Sequence, residues 1–169
     1  MYELEAYEIL SSPHYLARLN APTPWSTRMM PHHRNMVRSQ CRVIESIGGG
    51  VARLAATVRL SAAEGREQEL RSHLTSLLDT ICTRPGLVGA HLLQHETPPI
   101  AATTEQRIRG MADREADLVL VAVGYDPVAL KYLAETELAP DSLMQAGATS
   151  QTNGLYSLSH AATPADVLG

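Results

Sequence analysis

The sequence contains no phenylalanine, a single tryptophan and a single lysine, Lys131, among its 169 residues. It also has only two cysteines, Cys41 and Cys82, and each lies in a mostly apolar stretch. Two cysteines cannot build a disulfide scaffold, so we expect reduced and buried thiols. There is no run of about 18 apolar residues, and the first residues lack the basic and apolar regions of a signal peptide. These absences predict a soluble, cytoplasmic protein without a membrane partner.

The charge balance excludes another class of partner. The formal net charge is −4, with 44% hydrophobic and 19% charged residues. This is a globular composition, and it lacks the basic patch that nucleic-acid-binding domains carry. We therefore expect no nucleic-acid partner. A chain of this length suits one domain, or one and a half small repeats, and can fold alone.

Hydrophobic periodicity predicts the secondary structure. Strands are expected at Tyr2–Leu10, 40–46, Val51–Leu60, Leu87–His95, Leu118–Gly124 and 153–160. Helices are expected from Pro13 through Leu19, from Pro24, over 66–83, over 104–111 and from Pro127 to about Leu138. Ser12, Thr23 and Asp126 each precede a proline, which is a typical N-cap followed by a first-turn proline. The piece 40–46 has an alternative, because the preceding helix can also continue to Ile47.

From Val51 onwards, the predicted order is strand, helix, strand, strand, helix, strand, which is the ferredoxin-like arrangement. Before it stand a strand, a helical segment and a strand, which match the second half of the same unit. The fold class that we predict is therefore α+β, with a ferredoxin-like βαββαβ unit preceded by an incomplete β-α-β half repeat. The half repeat spans 1–48, the complete repeat 49–162, and a flexible tail 163–169.

Several segments carry a likeness to a known family. They are Gly65-Arg66-Glu67, Arg84-Pro85-Gly86-Leu87-Val88-Gly89-Ala90, Val123-Gly124-Tyr125-Asp126, and the stretch from Pro22 to Arg28 with Pro31-His32-His33-Arg34. Together they resemble the dimeric α/β-barrel superfamily, closest to its EthD-like and antibiotic-biosynthesis-monooxygenase-like branches. The resemblance implies sheets that pair into a barrel, with a ligand pocket between sheet and helices or within the barrel. Its members include cofactor-free oxygenases, haem-binding or haem-degrading proteins, dehydratases and cyclases.

The stretch from Asn20 to Arg42 is the first candidate site, because it gathers the tryptophan, a His-His pair, four arginines and three prolines. Trp25 can form the wall of a pocket for a flat organic ligand. His32, His33 and Arg34 can transfer protons or bind an anion. The alternative interpretation is that Trp25 packs this segment onto the sheet, while the histidines are exposed or cap a helix.

A second candidate surface follows from the alternation along Val51–Leu60. Arg53, Thr57 and Arg59 share the face opposite the apolar one. In a ferredoxin-like sheet, this face meets His91 and Tyr156 on other strands and forms the polar wall of a pocket. The equally open alternative is that this face is an interface between two copies of the chain. We expect a partner chain because the incomplete repeat leaves strand edges exposed.

Metal and nucleophile signatures are missing. His91 and His95 share a strand face, but their Cα atoms lie about 13 Å apart in an extended strand, so the two cannot chelate one ion. HExxH, CxxC and GxSxG motifs are absent. We therefore predict no metal site and no cofactor, and we expect Gly48-Gly49-Gly50 to form a flexible turn.

The leading hypothesis is a homodimeric, small-molecule-binding α/β-barrel protein that acts as a cofactor-independent oxygenase on an apolar or aromatic compound. In that case His33 or His91 is the acid/base, and Arg34 or Arg53 stabilises an enolate or phenolate. The second hypothesis is a non-catalytic ligand-binding or assembly module whose polar sheet face is a dimer interface. A haem-binding protein is the third.

Overall fold

The computed structural model describes residues 4–32, 39–50, 52–96, 100–109 and 116–161. The chain divides into two compact units. Unit 1 consists of Met1–Arg42 with His95–Glu115, and unit 2 consists of Val43–Gln94 with Ala116–Gly169. Among the helices of the described ranges, none is both long and apolar enough to cross a membrane.

A five-stranded antiparallel sheet dominates unit 2. Its strands are β1 (Cys41–Gly48), β2 (Leu54–Ala62), β3 (Leu87–His95), β4 (Leu118–Gly124) and β5 (Ala148–Ser157). They are arranged in the order β1-β3-β4-β2-β5. When β2 to β5 are numbered 1 to 4 along the chain, they stand side by side in the order 2-3-1-4, which is the ferredoxin-like order. The predicted α+β, ferredoxin-like fold is confirmed, and β1 is an additional edge strand beside β3.

Helix α3 (Glu67–Ile81) forms because leucines recur at three- and four-residue spacing along one face. Leu70, Leu74 and Leu78 are fully buried, as is Ile81 at the end of the helix. Each such side chain contributes about 1.5–3 kcal/mol by leaving water. Two glutamates in the first turn suit the positive end of the helix dipole. The stripe therefore fixes the face of α3 that covers the sheet.

The core of unit 2 lies between the helices and one face of the sheet, which we call the helix-side face. Cross-strand pairing aligns Ala56, Ala122 and Ala90 in one row of this face. The next row contains Val58, Leu120 and Leu92. All six side chains are no more than 1% exposed. The two rows therefore form the buried centre of the helix-side face.

Helix α5 (Pro127–Glu135) follows β4 and begins as the sequence predicts. The Asp126 carboxylate accepts a hydrogen bond of 2.8 Å from the Val128 N–H, and Pro127 occupies the first turn. The helix ends three residues earlier than expected, and a further helix, α6 (Pro140–Gln145), follows it. Helix α6 was not predicted, because Ala139-Pro140 indicated only the end of a helix, although a proline also suits the first turn of a new one.

The short elements of unit 1 are helical. They are α1 (Pro13–Asn20), α2 (Pro24–Met29), α4 (Thr104–Arg109) and two 3-10 segments, Tyr7–Ser11 and Met30–His32. The Ser12 and Thr23 side chains cap α1 and α2 as predicted, by accepting hydrogen bonds from Tyr15 and Ser26 N–H groups. The Asn20 Oδ1 accepts a hydrogen bond of 3.0 Å from the Thr104 N–H, which joins α1 to α4.

Two strand predictions need correction. The expected strand Tyr2–Leu10 is wrong over its described residues, because the chain forms the 3-10 segment Tyr7–Ser11 instead. Within this segment only Leu10 is buried, so the alternation of apolar and polar residues does not reflect two faces of a strand. The last strand begins at Ala148, five residues before the expected start, because a polar edge strand gives little hydrophobic signal. The predicted strand over 40–46 is confirmed by β1, and the alternative helix to Ile47 is wrong.

Candidate functional site

A cavity of about 250 Å³ lies between α5 and the strands β2 and β5. Its lining residues are Ala56, Thr57, Val58, Ala134, Asn153, Gly154 and Leu155. Because Ala56 and Val58 belong to the core and Ala134 to α5, the cavity is on the helix-side face. The volume lies somewhat below the usual range for ligand sites, so the cavity suits a molecule of one or two rings.

The only side-chain amide in this lining is held rigidly. The Asn153 Nδ2 donates to the Leu138 carbonyl at 3.0 Å, and the Asn153 Oδ1 accepts from the Gln151 Nε2 at 2.8 Å. Leu155, in contrast, is 55% exposed beside the cavity. The lining contains no histidine, cysteine, carboxylate or arginine. Such a site can bind an apolar molecule, but it has no group suited to proton transfer.

The opposite face of the sheet, which we call the outer face, carries most of the predicted polar site. Strand pairing places His91, Val121, Thr57 and Gly154 in one row across the four strands β3, β4, β2 and β5. A neighbouring row ends in Tyr156. The structure therefore puts Thr57, His91 and Tyr156 on one face, as the alternation indicated. Val121 nevertheless separates Thr57 from His91, whose Cα atoms are about 10 Å apart across two strand spacings.

His91 is turned towards β1 rather than towards Thr57. Its Nδ1 lies 2.7 Å from the Ser46 Oγ, a hydrogen-bond distance at which either group can donate, depending on the tautomer. Ser46 is exposed on β1, and His91 is half-buried. The outer face thus contains two separate polar groups, the Ser46–His91 pair at one end and Thr57 with Tyr156 at the other.

The Tyr156 ring lies over Gly154, which explains the glycine. A Cβ built on Gly154 would lie 2.5 Å from the Tyr156 Cε2 and 2.6 Å from its hydroxyl oxygen. Any larger residue at position 154 displaces this ring. The ring is 57% exposed, so it covers the backbone of an edge strand while leaving one side free.

The two arginines predicted for the same surface, Arg53 and Arg59, differ in their position. Arg59 is half-buried and pairs with Val119 and Thr152 in the row beyond Thr57. Arg53 precedes β2 and is exposed, and its carbonyl accepts a hydrogen bond of 2.7 Å from the Leu158 N–H. Arg59 is therefore the arginine that pairing places directly on the outer face beside Thr57.

The first candidate site belongs to unit 1. Trp25 is 68% exposed on α2, so it does not serve as a packed anchor within the unit. His32 is exposed at the end of the second 3-10 segment. His33 and Arg34 lie outside the described residues. Their proposed roles stay predictions.

Unit 1 contains a polar cluster that the sequence analysis did not single out. The Arg42 guanidinium donates to both Glu96 carboxylate oxygens, at 2.8 and 3.3 Å, and lies 4.5 Å from the centre of the Tyr7 ring. The Tyr7 hydroxyl donates to the Glu96 carbonyl. Burial raises the pKa of Tyr7, Glu96 raises it further, and Arg42 acts in the opposite sense. A two-point ion pair and an aromatic contact hold this cluster together, which is typical of a structural link between segments of the chain.

The cysteines are free, as expected, but they are half-buried rather than buried. The Cys82 thiol donates to the Ile47 carbonyl at 3.3 Å. Burial raises the pKa of both thiols, which keeps them protonated and unreactive. Within the described ranges, no three histidine, cysteine or acidic residues are grouped so as to hold a metal ion.

Comparisons with known proteins give a distant likeness of fold. No protein-family model matches the chain, and no curated protein matches it. Among solved structures, it is similar to a major regulator of staphylococcal pathogenesis, with 14% identity, a TM-score of 0.49, and coverage of 70% of this chain and 68% of the other. The heme-degrading enzyme LmHde from Listeria monocytogenes has 9% identity, a TM-score of 0.47 and 69% coverage of both chains.

A mutant of SnoaB, a cofactor-independent oxygenase from Streptomyces nogalater, has 17% identity and a TM-score of 0.43, covering 66% of this chain and 97% of that one. With TM-scores below one half, these likenesses carry no argument about activity. The fold assignment rests on the strand order itself. Membership of the EthD-like branch stays a prediction.

Ser46, Ala134 and Leu155 were not among the site residues predicted from the sequence. Ser46 has an indirect signal, since β1 was predicted as a strand, but its pairing with His91 depends on a register that the sequence does not reveal. Ala134 and Leu155 carry no chemical signal. They line the cavity only because of where α5 crosses the sheet.

Proposed function

We propose that the chain binds a small apolar organic molecule, of one or two rings, in the cavity between α5 and β5. The observation that carries this proposal is the apolar lining beside the half-exposed Leu155 side chain. A ligand that covers this side chain gains about 1 kcal/mol from its burial alone. The Asn153 side-chain amide, held by two hydrogen bonds, can orient the ligand.

The cavity is assigned binding rather than catalysis, because its lining has no proton acceptor. A more specific function is cofactor-independent oxygenation of the bound ligand. This reaction needs a base that removes a proton from the ligand. His91 is one of the two bases predicted from the sequence, with His33 as the other, and it lies on the outer face. Oxygenation is therefore a proposal for a ligand bound on that face beside His91.

Binding is tested with 2-naphthol, whose fluorescence changes on transfer from water to an apolar site. We expect saturable binding to the unaltered chain and at least about a tenfold loss of affinity in Ala134→Leu, which fills the cavity. Val128→Leu is the matched control, because Val128 is 73% exposed on the same helix. Equal binding by Ala134→Leu and Val128→Leu would refute the cavity as the site.

Oxygenation is tested separately by oxygen uptake with the same phenol. Uptake that depends on His91, and is lost in His91→Gln, supports the finer proposal. If His91→Gln and the unaltered chain take up oxygen at the same rate, or if neither exceeds buffer, the oxygenation proposal is wrong. The binding proposal is not affected by that result.

A second candidate function, homodimer assembly, is favoured by one observation. The edge strand β5 and the residue just beyond it present Leu155, Tyr156 and Leu158, each more than half exposed. Exposed apolar residues along a strand edge are typical of an interface. Sedimentation equilibrium tests this function: Leu158→Asp should shift a dimer to monomer, whereas a monomeric unaltered chain would rule it out.

A further inference from the structure

Ser46 and His91 join a potential nucleophile directly to a potential base. Their atoms Oγ and Nδ1 are 2.7 Å apart, within the range at which a hydroxyl passes its proton to an imidazole. The two residues come from neighbouring strands, so the rigid sheet holds them together. No motif in the sequence signals this pair.

The surroundings of the pair are open on the side where a substrate has to approach. Ser46 is exposed, and β1 is an edge strand. A Cβ added to Gly89 would lie 3.7 Å from the His91 Nε2, an ordinary contact distance, so the backbone of β3 lies beside the imidazole without crowding it. Two residues after Ser46 comes the glycine run, and a Cβ added to Gly49 would meet no atom within 4 Å.

The end of β1 is nevertheless fixed. Gly48 has a positive φ of 80°, and a Cβ there would lie 2.3 Å from the Val88 carbonyl oxygen. The backbone of β1 therefore approaches β3 more closely than any other residue would permit. This close approach lies two residues from Ser46, at the end of β1.

We propose that Ser46 and His91 are a nucleophile–base dyad that hydrolyses small activated acyl esters. The Ser46 oxygen attacks the ester carbonyl and forms the new C–O bond, while its proton passes to the His91 Nδ1. The C–O bond to the leaving group then breaks, and the departing alcohol or phenol takes that proton. Water, deprotonated by the same imidazole, releases the acid and restores Ser46.

The substrate class follows from the open position of the dyad. The cavity lies on the other face of the sheet, so it does not supply an acyl pocket for Ser46. Small acyl groups such as acetyl, on a good leaving group, are the substrates that need no such pocket. This activity is independent of ligand binding between α5 and β5.

The test uses p-nitrophenyl acetate with the full chain. We expect release of p-nitrophenolate and an acetyl group on the peptide that contains Ser46, detected by mass spectrometry after acid quench. Ser46→Ala and His91→Gln should each lower the rate at least about tenfold. Ser46→Cys should retain acylation, because a thiol replaces the hydroxyl as nucleophile.

The controls are Ser150→Ala and His73→Gln, which change an exposed serine and an exposed histidine elsewhere. Both should keep the full rate, and circular dichroism confirms that each variant is folded. Full activity in Ser46→Ala together with loss in His91→Gln would mean catalysis by the imidazole alone and would overturn the dyad. Acetylation only at other residues would overturn it as well.

Discussion

Arg84 and Glu137 form an ion pair with 2.5 Å between the Arg84 Nη2 and the Glu137 Oε1. The pair joins the segment after α3 to the segment after α5, so it ties together the two helices that cover the sheet. Each side chain is about one-third exposed. The Arg84 hydrogen bond lowers the pKa of Glu137 to about 2, burial opposes the shift, and the Thr136 hydroxyl supports it.

This shift predicts a loss of stability in acid. The folded pKa of Glu137 lies below its ordinary value of 4.5, so the contribution is complete above that value and disappears as the pH falls from about 5 to 2. We expect Glu137→Gln to lower the free energy of unfolding by about 1–2 kcal/mol at pH 7, after allowance for solvent screening.

Urea unfolding between pH 7 and pH 2.5 measures the effect. The difference between Glu137→Gln and the unaltered chain should shrink towards zero at the acid end. Glu135→Gln is the control, because the Glu135–Lys131 pair is about two-thirds exposed and contributes little. A difference that is constant with pH would contradict the assigned role of the carboxylate.

Gly86 is the second position at which a single change has a large expected effect. It has a φ of 89°, and a Cβ there would lie 2.6 Å from the Asp126 Cβ. We expect Gly86→Ala to destabilise the chain by about 2–4 kcal/mol, because strain and a steric clash act together. Thermal unfolding followed by circular dichroism measures the loss.

Two other glycines separate these causes. Gly65 has a φ of 78° but no atom within 4 Å of an added Cβ, so Gly65→Ala tests strain alone, with an expected cost of about 1 kcal/mol. Gly49 has neither a positive φ nor a close neighbour, so Gly49→Ala should be neutral within about 0.5 kcal/mol. Equal effects at the three positions would refute the steric explanation for Gly86.

The core of unit 2 should depend strongly on Leu74. This side chain is fully buried in the middle of α3. Leu74→Ala removes its methyl groups and leaves a void, so we expect a loss of about 2–5 kcal/mol in urea unfolding. Leu155→Ala, at a leucine that is 55% exposed, should cost less than about 1 kcal/mol. The reverse ranking would mean that the assigned core is wrong.

The two amides on β5 should stabilise the edge of the sheet. The Gln151 Nε2 and the Asn153 Nδ2 each donate to the Leu138 carbonyl at 3.0 Å. We expect Asn153→Ala to cost about 1 kcal/mol and to speed amide hydrogen exchange along β5. Thr152→Ala changes the exposed residue between the two amides and should leave exchange unaltered. If amide hydrogen exchange along β5 is unchanged in Asn153→Ala, the side-chain amides do not stabilise this edge of the sheet.

Local patterns were sufficient for the central strands and for their faces. The ends of Leu87–His95 and Leu118–Gly124 were predicted correctly because glycines and a proline bound short apolar stretches. The alternation of Thr57 and Arg59 against the core residues also identified the outer face. These features depend on residues that are close together in the sequence, so a single sequence is enough to predict them.

What the sequence did not reveal depends on distances between elements. The pairing of Ser46 with His91 requires the register between β1 and β3, and the cavity requires the position of Ala134 above Leu155. The wrong strand at Tyr2–Leu10 has a related cause, since short alternation also arises in a helical segment that buries one side chain. Long-range geometry, rather than residue type, decided each of these cases.

The sheet order also affects how the chain folds. Strand β2 is the first of the ferredoxin-like strands along the chain, yet it pairs with β5, so that Val58 lies opposite Asn153, 95 residues later. Contacts of such large sequence separation slow folding, because a long loop must close before they form. During synthesis, one edge of β2 is therefore without its partner until the ribosome has released nearly every other element of the sheet.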